Sequence, residues 1–236
     1  MAGFEESEAE YQRRKMISCI LTSSDRPTLV LQALESIERQ THRDYELIVV
    51  DDSAHLDIHR AMRHFRFPSV QIHHFDVASG ARSTVNRLGV NINFALTKAS
   101  GDLIAYLCDD DYFFNDWFEK AAAFFHDNPQ ALQGFGSLIY SKSMHMDFSQ
   151  SGSVRWFDRP VSDPKGKLDH GQVIHRRRII PVKWPEAKET TNDSDGLFFR
   201  ELSRQGVFYP IHASAVVKRL HGKNLQSSAP DGGLRE

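Results

Sequence analysis

The residues best equipped for chemistry are three consecutive carboxylates, Asp109, Asp110 and Asp111, directly behind the apolar run at residues 103–107. Adjacent like charges at the end of a buried strand repel, and taking them out of water is costly unless a cation or hydrogen-bond donors compensate. A hard divalent cation such as Mg²⁺ or Mn²⁺ prefers carboxylate oxygen and leaves positions open for the oxygens of a substrate phosphate. The competing interpretation is a solvated acidic turn ahead of a helix that starts near Asp116, because Asp is common in turns and at helix starts. Asp52 stands in a comparable place, at the end of the apolar run 45–52.

The elements that must position these acids are legible from periodicity. Residues 16–22 have the length and apolarity of a buried strand, broken by the polar stretch 23–27. Between residues 28 and 40, Val30, Ala33, Leu34 and Ile37 recur at helical spacing and form one apolar face. A second strand at 45–52, a weaker helix around 58–65 and a third strand at 70–75 follow. This alternation implies parallel strands joined by right-handed crossovers. After a loop at 76–81, residues 83–99 are expected to be helical, with Val85, Leu88, Ile92 and Ala95 on one face, although Gly89 and two asparagines lower the propensity. In open α/β sheets ligands bind beyond the carboxyl ends of the strands, where strand order reverses. Thr22, Asp52 and Asp109 to Asp111 are therefore expected to converge on one crevice.

The second half is more irregular. An aromatic-rich helix at 117–126 stops at Asn128-Pro129, and 132–144 is expected to be extended. Residues 145–166 read as a loop or irregular hairpin able to move over the crevice. A basic segment at 167–178, a helix at 195–204 and a final strand at 207–211 complete the pattern. The domain expectation is a polar arm at 1–15, a regular α/β half at 16–114, a second, more irregular half of the same domain at 115–223, and a flexible tail at 224–236.

The 236 residues are 40% hydrophobic and 25% charged, with a formal net charge of −2, which gives no electrostatic case for nucleic-acid binding. Cys19 and Cys108 cannot make a disulfide framework and are expected to be reduced. No apolar run approaches the roughly 18 residues that span a bilayer. The expectation is a cytoplasmic protein, with peripheral membrane contact and a homodimer left open.

Taken in order, Ile20-Leu-Thr-Ser23, Val50-Asp-Asp52, Arg82 with Arg87, Cys108-Asp-Asp-Asp111, Leu168-Asp-His170 with Ile174-His-Arg176, and Asp195-Gly-Leu-Phe-Phe199 form a series. Across roughly residues 16–212 the chain resembles the family 2 inverting glycosyltransferases of the GT-A fold, and within that group the bacterial spore-coat polysaccharide glycosyltransferases. The resemblance implies an α/β, Rossmann-like fold with a mostly parallel sheet flanked by helices and a smaller acceptor-side subregion, residues 16–114 forming its nucleotide-binding half and 115–223 its acceptor-binding and catalytic half. It also implies metal-dependent transfer of a sugar from a UDP- or dTDP-linked donor to an acceptor hydroxyl, in synthesis of a bacterial surface polysaccharide or glycoconjugate.

By that resemblance Thr22, Asp52, Arg82 and Asp109 hold the nucleotide, with Ser23 and Arg87 beside them. Asp110 or Asp111 holds Mg²⁺ or Mn²⁺: the general pattern points to Asp111, the nearer relatives to Asp110. Inversion needs a general base for the acceptor hydroxyl. Asp195 matches that position, with Asp193 as its rival and a helix N-cap as its structural alternative. Asp169, His170 and His175 are candidates for the acceptor or diphosphate side, and Arg176 for phosphate. Ser24-Asp25 and Ser53-Ala54 depart from the family's pattern, which bears on base stacking and on uridine against thymidine. A sugar-nucleotide nucleotidyltransferase would need a Gly-rich loop after the first strand, which residues 22–27 lack. A non-catalytic nucleotide-sugar-binding protein is the other alternative.

Overall fold

Alternate residues of three apolar segments face opposite sides of one sheet, and two helices cover those sides. The computed structural model describes residues 16–78, 84–148, 152–179 and 182–221, so the expected arm and tail lie outside the described residues. In chain order the first half comprises β1 (Ile17–Ser23), α1 (Pro27–Glu38), β2 (Tyr45–Asp51), α2 (Ile58–Met62), β3 (Val70–His74), α3 (Arg87–Leu96) and β4 (Leu103–Cys108). Ile17, Cys19 and Leu21 of β1, with Leu47, Val49, Leu103, Ala105 and Leu107, pack on Val30, Ala33, Leu34 and Ile37 of α1. Ile20, Ile48, Val50, Ile104 and Tyr106 point the other way, onto Ile92 and Ala95 of α3. Truncating one such buried leucine to alanine costs about 2–5 kcal/mol.

The second half adds β5 (Tyr112–Phe113), α4 (Trp117–Asp127), β6 (Gln133–Ser141), β7 (Val154–Arg155), β8 (Val173–Arg176), α5 (Ser194–Ser203) and β9 (Phe208–Arg219). Among the described residues these strands form one nine-stranded sheet in the order β3-β2-β1-β4-β8-β6-β9-β5, with β7 on β6. β3, β2, β1 and β4 are mutually parallel, as the alternation implied. β8 runs antiparallel to both β4 and β6. The chain leaves β1 for β2 on one side and later returns to β4 on the other, so the order reverses at β1 and opens a crevice there.

Two boundaries differ from expectation. α3 begins at Arg87, not near residue 83, because the Asn86 side chain caps it by accepting from the Gly89 N–H. β9 spans 12 residues, well past residue 211, because it pairs in parallel with β6 through two register shifts that mask its alternation. No helix among the described residues is long and apolar enough to cross a membrane.

At the amino end of the sheet, Glu46 is buried among neutral donors. Its Oε1 accepts from Ser18 Oγ at 2.6 Å, Ser100 N–H at 2.6 Å, Ser100 Oγ at 2.9 Å and Gly101 N–H at 3.2 Å. Burial pushes this carboxyl up, but the four donors outweigh it and hold it below its ordinary value. Gly101 is required there, since a Cβ would lie 2.5 Å from the Met16 carbonyl oxygen.

Candidate active site at the carboxyl edge of the sheet

The parallel register brings three strand ends level. Thr22 lies opposite Val50 on one side and Cys108 on the other. The exits are tied by the Asp52 N–H, which donates to Ser23 O at 3.1 Å, and the Asp109 N–H, which donates to Thr22 O at 3.0 Å. Two adjoining clefts open on this edge. The first, about 360 Å³, is lined by Thr22, Ser23, Asp52, Arg87, Asn91 and Lys188 among others. The second, about 100 Å³, is lined by Asp110, Asp111, His170, Asn192, Asp195 and Lys218 among others. Arg26, Leu88, Cys108 and Thr191 border both.

In the first cleft Arg87 Nε donates to Asp52 Oδ2 at 3.0 Å, while its Nη2 donates to Asn91 Oδ1 at 2.9 Å. The side chain is thus aimed by its own helix and oriented by Asp52. The Ser23 hydroxyl is buried and has no hydrogen-bond partner among the described residues, an orphan that a polar ligand would satisfy. Arg82 lies outside the described residues.

The three aspartates are buried, so the solvated-turn interpretation fails. Protein cations and amides surround them. Asp109 accepts from the Ser24 N–H at 2.8 Å and pairs with Arg26. Asp110 Oδ2 lies 3.1 Å from His221 Nε2 and 3.8 Å from Arg26 Nη2. Asp111 Oδ1 accepts from the Arg219 N–H at 3.0 Å, and the Arg219 guanidinium donates to the Asp110 carbonyl at 3.1 Å. Compensation is incomplete. Burial, with the charge of Asp110 beside it, pushes Asp111 up to about 7. Burial likewise lifts Asp109 to about 7, with Arg26 and the Ser24 N–H opposing and Asp110 adding to the rise. Carboxylates whose negative charge the nearby cations do not fully offset suit a hard divalent cation, although among the described residues only Asp169, His170 and Asp195 bring three ligand atoms within 4.8 Å of one another.

Asp195 enters the second cleft from the first turn of α5. It is not the N-cap: Asp193 holds that position and makes no capping hydrogen bond through its side chain. Asp195 Oδ1 accepts from the Gly196 N–H at 2.8 Å, and Oδ2 lies 3.9 Å from His170 Nδ1. His170 is buried, with Nε2 3.1 Å from Cys108 Sγ and Nδ1 3.5 Å from Asp169 Oδ1. Burial disfavours its charge, but Cys108, Asp169 and Asp195 together raise it well above the ordinary histidine range. Asp169 pairs with the buried Lys218, which overcomes desolvation and holds its carboxyl well below the usual range. Asp169, His170 and Asp195 bring ligand atoms within 4.8 Å of one another. With Asp169 neutralised by Lys218 and the His170 ring protonated, that trio is an ion-paired network and a poor metal site.

Several expected residues lie elsewhere. His175 sits in the core, its Nε2 2.7 Å from the Tyr106 hydroxyl and its Nδ1 3.0 Å from the Arg176 carbonyl. Burial lowers it to about 4, so it is neutral and structural. Arg176 donates to the carbonyls of Ala131 and Phe125, both at 2.8 Å, and its guanidinium stacks 5.2 Å over Phe125. Neither borders a cleft. Asp193 turns to Lys165 at 2.7 Å, away from the second cleft. Conversely, Arg26 and Lys218 were not anticipated. Their acidic partners are 83 and 49 residues distant, and no local pattern reports such pairing.

The chain belongs to glycosyl transferase family 2, whose pattern matches residues 18–156. It is 27% identical over 212 residues to protein CgeD of Bacillus subtilis, covering 83% of this chain and 48% of that one. To the putative colanic acid biosynthesis glycosyl transferase WcaA of Escherichia coli it is 26% identical, covering 91% and 76%. The solved structure of S. aureus TarS residues 1–349 with UDP-GlcNAc superposes with a TM-score of 0.67 at 17% identity, covering 91% and 61%, and shares the fold. This confirms the GT-A architecture expected from the sequence. The chain spans about half the length of CgeD and about a fifth of the Rickettsia glycosyltransferases it also matches.

Proposed function

We propose that this protein transfers a sugar, with inversion, from a uridine diphosphate sugar to a carbohydrate hydroxyl during synthesis of a bacterial surface polysaccharide. The observation that carries the reading is the pair of adjoining clefts: Asp52 and Arg87 in one, Asp110, Asp111 and Asp195 in the next. Family membership, the colanic acid relative and the UDP-GlcNAc complex of TarS support it.

In this reading Asp52, oriented by Arg87, accepts from the imide N–H of uracil, with Thr22 and the unpaired Ser23 hydroxyl beside it. Arg82 contacts the base or a phosphate. Asp109, expected to hold the nucleotide, already has both oxygens engaged by Ser24 and Arg26, so its work is to anchor Arg26 where the clefts meet. Asp110 is the ligand for Mg²⁺ or Mn²⁺, because it lines the second cleft with Oδ2 at 3.1 Å from His221 Nε2 and 3.8 Å from Arg26 Nη2, so its carboxylate is aimed at polar groups that a cation could replace. Asp111 lines the same cleft but has one oxygen held by the Arg219 amide. When bound, the metal supplies Lewis-acid neutralisation of charge on the departing diphosphate. Asp195 takes the proton of the acceptor hydroxyl, and the protonated His170 ring fixes its carboxylate. The base works on the face opposite the leaving group, as single displacement with inversion requires.

A thermal-shift screen of UDP, dTDP, GDP and CDP, each with and without Mn²⁺, tests this. Stabilisation by UDP that depends on Mn²⁺ is expected. A stronger response to dTDP would reassign the nucleoside, and no response to any of the four would end the reading.

A further inference from the structure

Three residues at the start of and within α3, poor formers of a helix interior, acquire a shared purpose in the fold. Asn86 and Asn93 stand two turns apart with Gly89 between them, and all three meet the segment 184–194. Asn86 Nδ2 donates to Pro185 O at 2.7 Å, to Ser194 Oγ at 2.9 Å and to Thr190 Oγ1 at 3.3 Å, while its N–H donates to Glu186 O at 2.8 Å. Asn86 is fully buried. Asn93 donates to Trp184 O at 2.9 Å and accepts from the Trp184 N–H at 2.9 Å. At Gly89 a Cβ would fall 2.1 Å from Pro185 O, so only glycine lets the segment lie this close. Val85 and Ala187 complete the seam with an antiparallel bridge.

The clamped segment is a strap that walls both clefts. Lys188 and Thr191 border the first, and Thr191, Asn192 and Ser194 border the second. It runs directly into α5, whose first turn carries Asp195. On the other side of the clamp, the next residue after Asn86 is Arg87, which orients Asp52 in the first cleft. One helix end therefore touches the nucleotide cleft with one residue and grips the base-bearing strap with its neighbour.

We propose that Asn86 and Gly89 are positioning residues that lock the strap to α3, so that nucleotide in the first cleft fixes the place of Asp195 in the second. This rests on the nucleotide-sugar reading above. The two N–H groups of this buried amide, shared among three strap oxygens, are costly to leave unsatisfied, which is why the strap has one favoured position. The coupling needs no large movement, since the strap and the helix terminus share a packed, hydrogen-bonded seam.

The test is amide hydrogen exchange with UDP and Mn²⁺ as the probe, followed separately in peptides covering α3 and covering residues 184–197, beside calorimetric UDP affinity. In the wild type UDP is expected to slow exchange in both peptides. Asn86→Asp keeps the oxygen that caps α3 but loses the amide donors. It should still bind UDP and still protect α3, while protection of the strap falls about tenfold. A residue that served stability alone would weaken protection in both peptides together. Gly89→Ala, which pushes on Pro185 from the opposite direction, should give the same split and serves if the first variant folds poorly. The proposal is overturned if UDP protects the strap equally in wild type and variants, or leaves it unprotected in the wild type. A wild type that binds no nucleoside diphosphate sinks the nucleotide-sugar reading first, and the proposal with it.

Discussion

The two ends of the central sheet bury carboxylates in opposite ways. At the amino end one acid, Glu46, is met by four neutral donors and held below its ordinary value. At the carboxyl end Asp109, Asp110 and Asp111 are consecutive and buried, and burial with the charge of Asp110 pushes the other two up to about 7 despite Arg26, Arg219 and Lys218 nearby. The first arrangement is satisfied by the fold alone, and it ties β1, β2 and the turn before β4. The second carries charge that the fold does not fully balance, which is how a site that awaits a ligand differs from a structural lock. Substitutions at the two ends should therefore separate: carboxyl-end changes remove chemistry and spare the fold, and amino-end changes do the reverse.

The largest effect is expected at Asp195. Asp195→Asn keeps size and its hydrogen bond to Gly196 but cannot take a proton, so transfer should fall about 10²–10⁴-fold while UDP affinity and melting temperature hold. Steady-state UDP release with a competent acceptor measures it, and a normal rate would remove Asp195 from the base role. Next comes Asp110→Ala. Metal-dependent UDP affinity should drop by at least about 100-fold, the upper end of what losing even an outer-shell metal partner costs. Calorimetry with and without Mn²⁺ reads it, and an undiminished metal effect would transfer the ligand role to Asp111.

The opposite outcome is expected at Glu46. Glu46→Gln replaces a carboxylate whose Oε1 alone accepts four hydrogen bonds with an amide whose NH₂ faces donors, costing about 1–3 kcal/mol and lowering the melting temperature by about 3–10 °C. UDP affinity of the folded fraction should not change. The pH sense follows from the lowered value: this stability is present above the ordinary Glu value of 4.5 and is lost as pH falls through the lower folded value. Equal stability of the variant and the wild type at neutral pH would show that the network contributes nothing.

The same contrast explains what could be read from sequence. β1, β2 and β4 were legible because each is a short apolar run whose alternate residues all find a core, and the acids behind them mark the edge. Asp195 was legible through its spacing to Phe198 and Phe199, which anchor α5 in the second core cluster. His175 and Arg176 have the right chemistry for a phosphate site, but β8 carries them into the sheet between β4 and β6, where their polar atoms serve local partners. Lys218 was lost with the far half of β9, whose small and polar residues at 212–215 show no strand alternation until β6 is beside them. Asn86 and Gly89 registered only as weak helix formers, because the strap they grip lies about a hundred residues away. Local pattern finds elements and their ends; pairing across the fold finds what balances a charge or holds a base.

The smallest expected effect gives the sharpest test of the comparison. Burial beside Asp110 raises the folded value of Asp111 from 3.8 to about 7. A carboxyl raised on folding contributes stability that is present below its unfolded value and lost as pH rises through its folded one. The wild type without metal should therefore lose stability between about pH 4 and pH 8 on this account. Asp111→Asn is spared that loss and can still accept from the Arg219 amide. At pH 8 the variant should be the more stable, read as a higher melting temperature, and the gap should shrink as pH falls and close only at about pH 4. Mn²⁺ should narrow the gap at pH 8 by stabilising the wild type alone. A variant less stable than the wild type at pH 8 would mean that Asp111, like Glu46, is satisfied by the fold, and the distinction between the two ends of the sheet would fail at that residue.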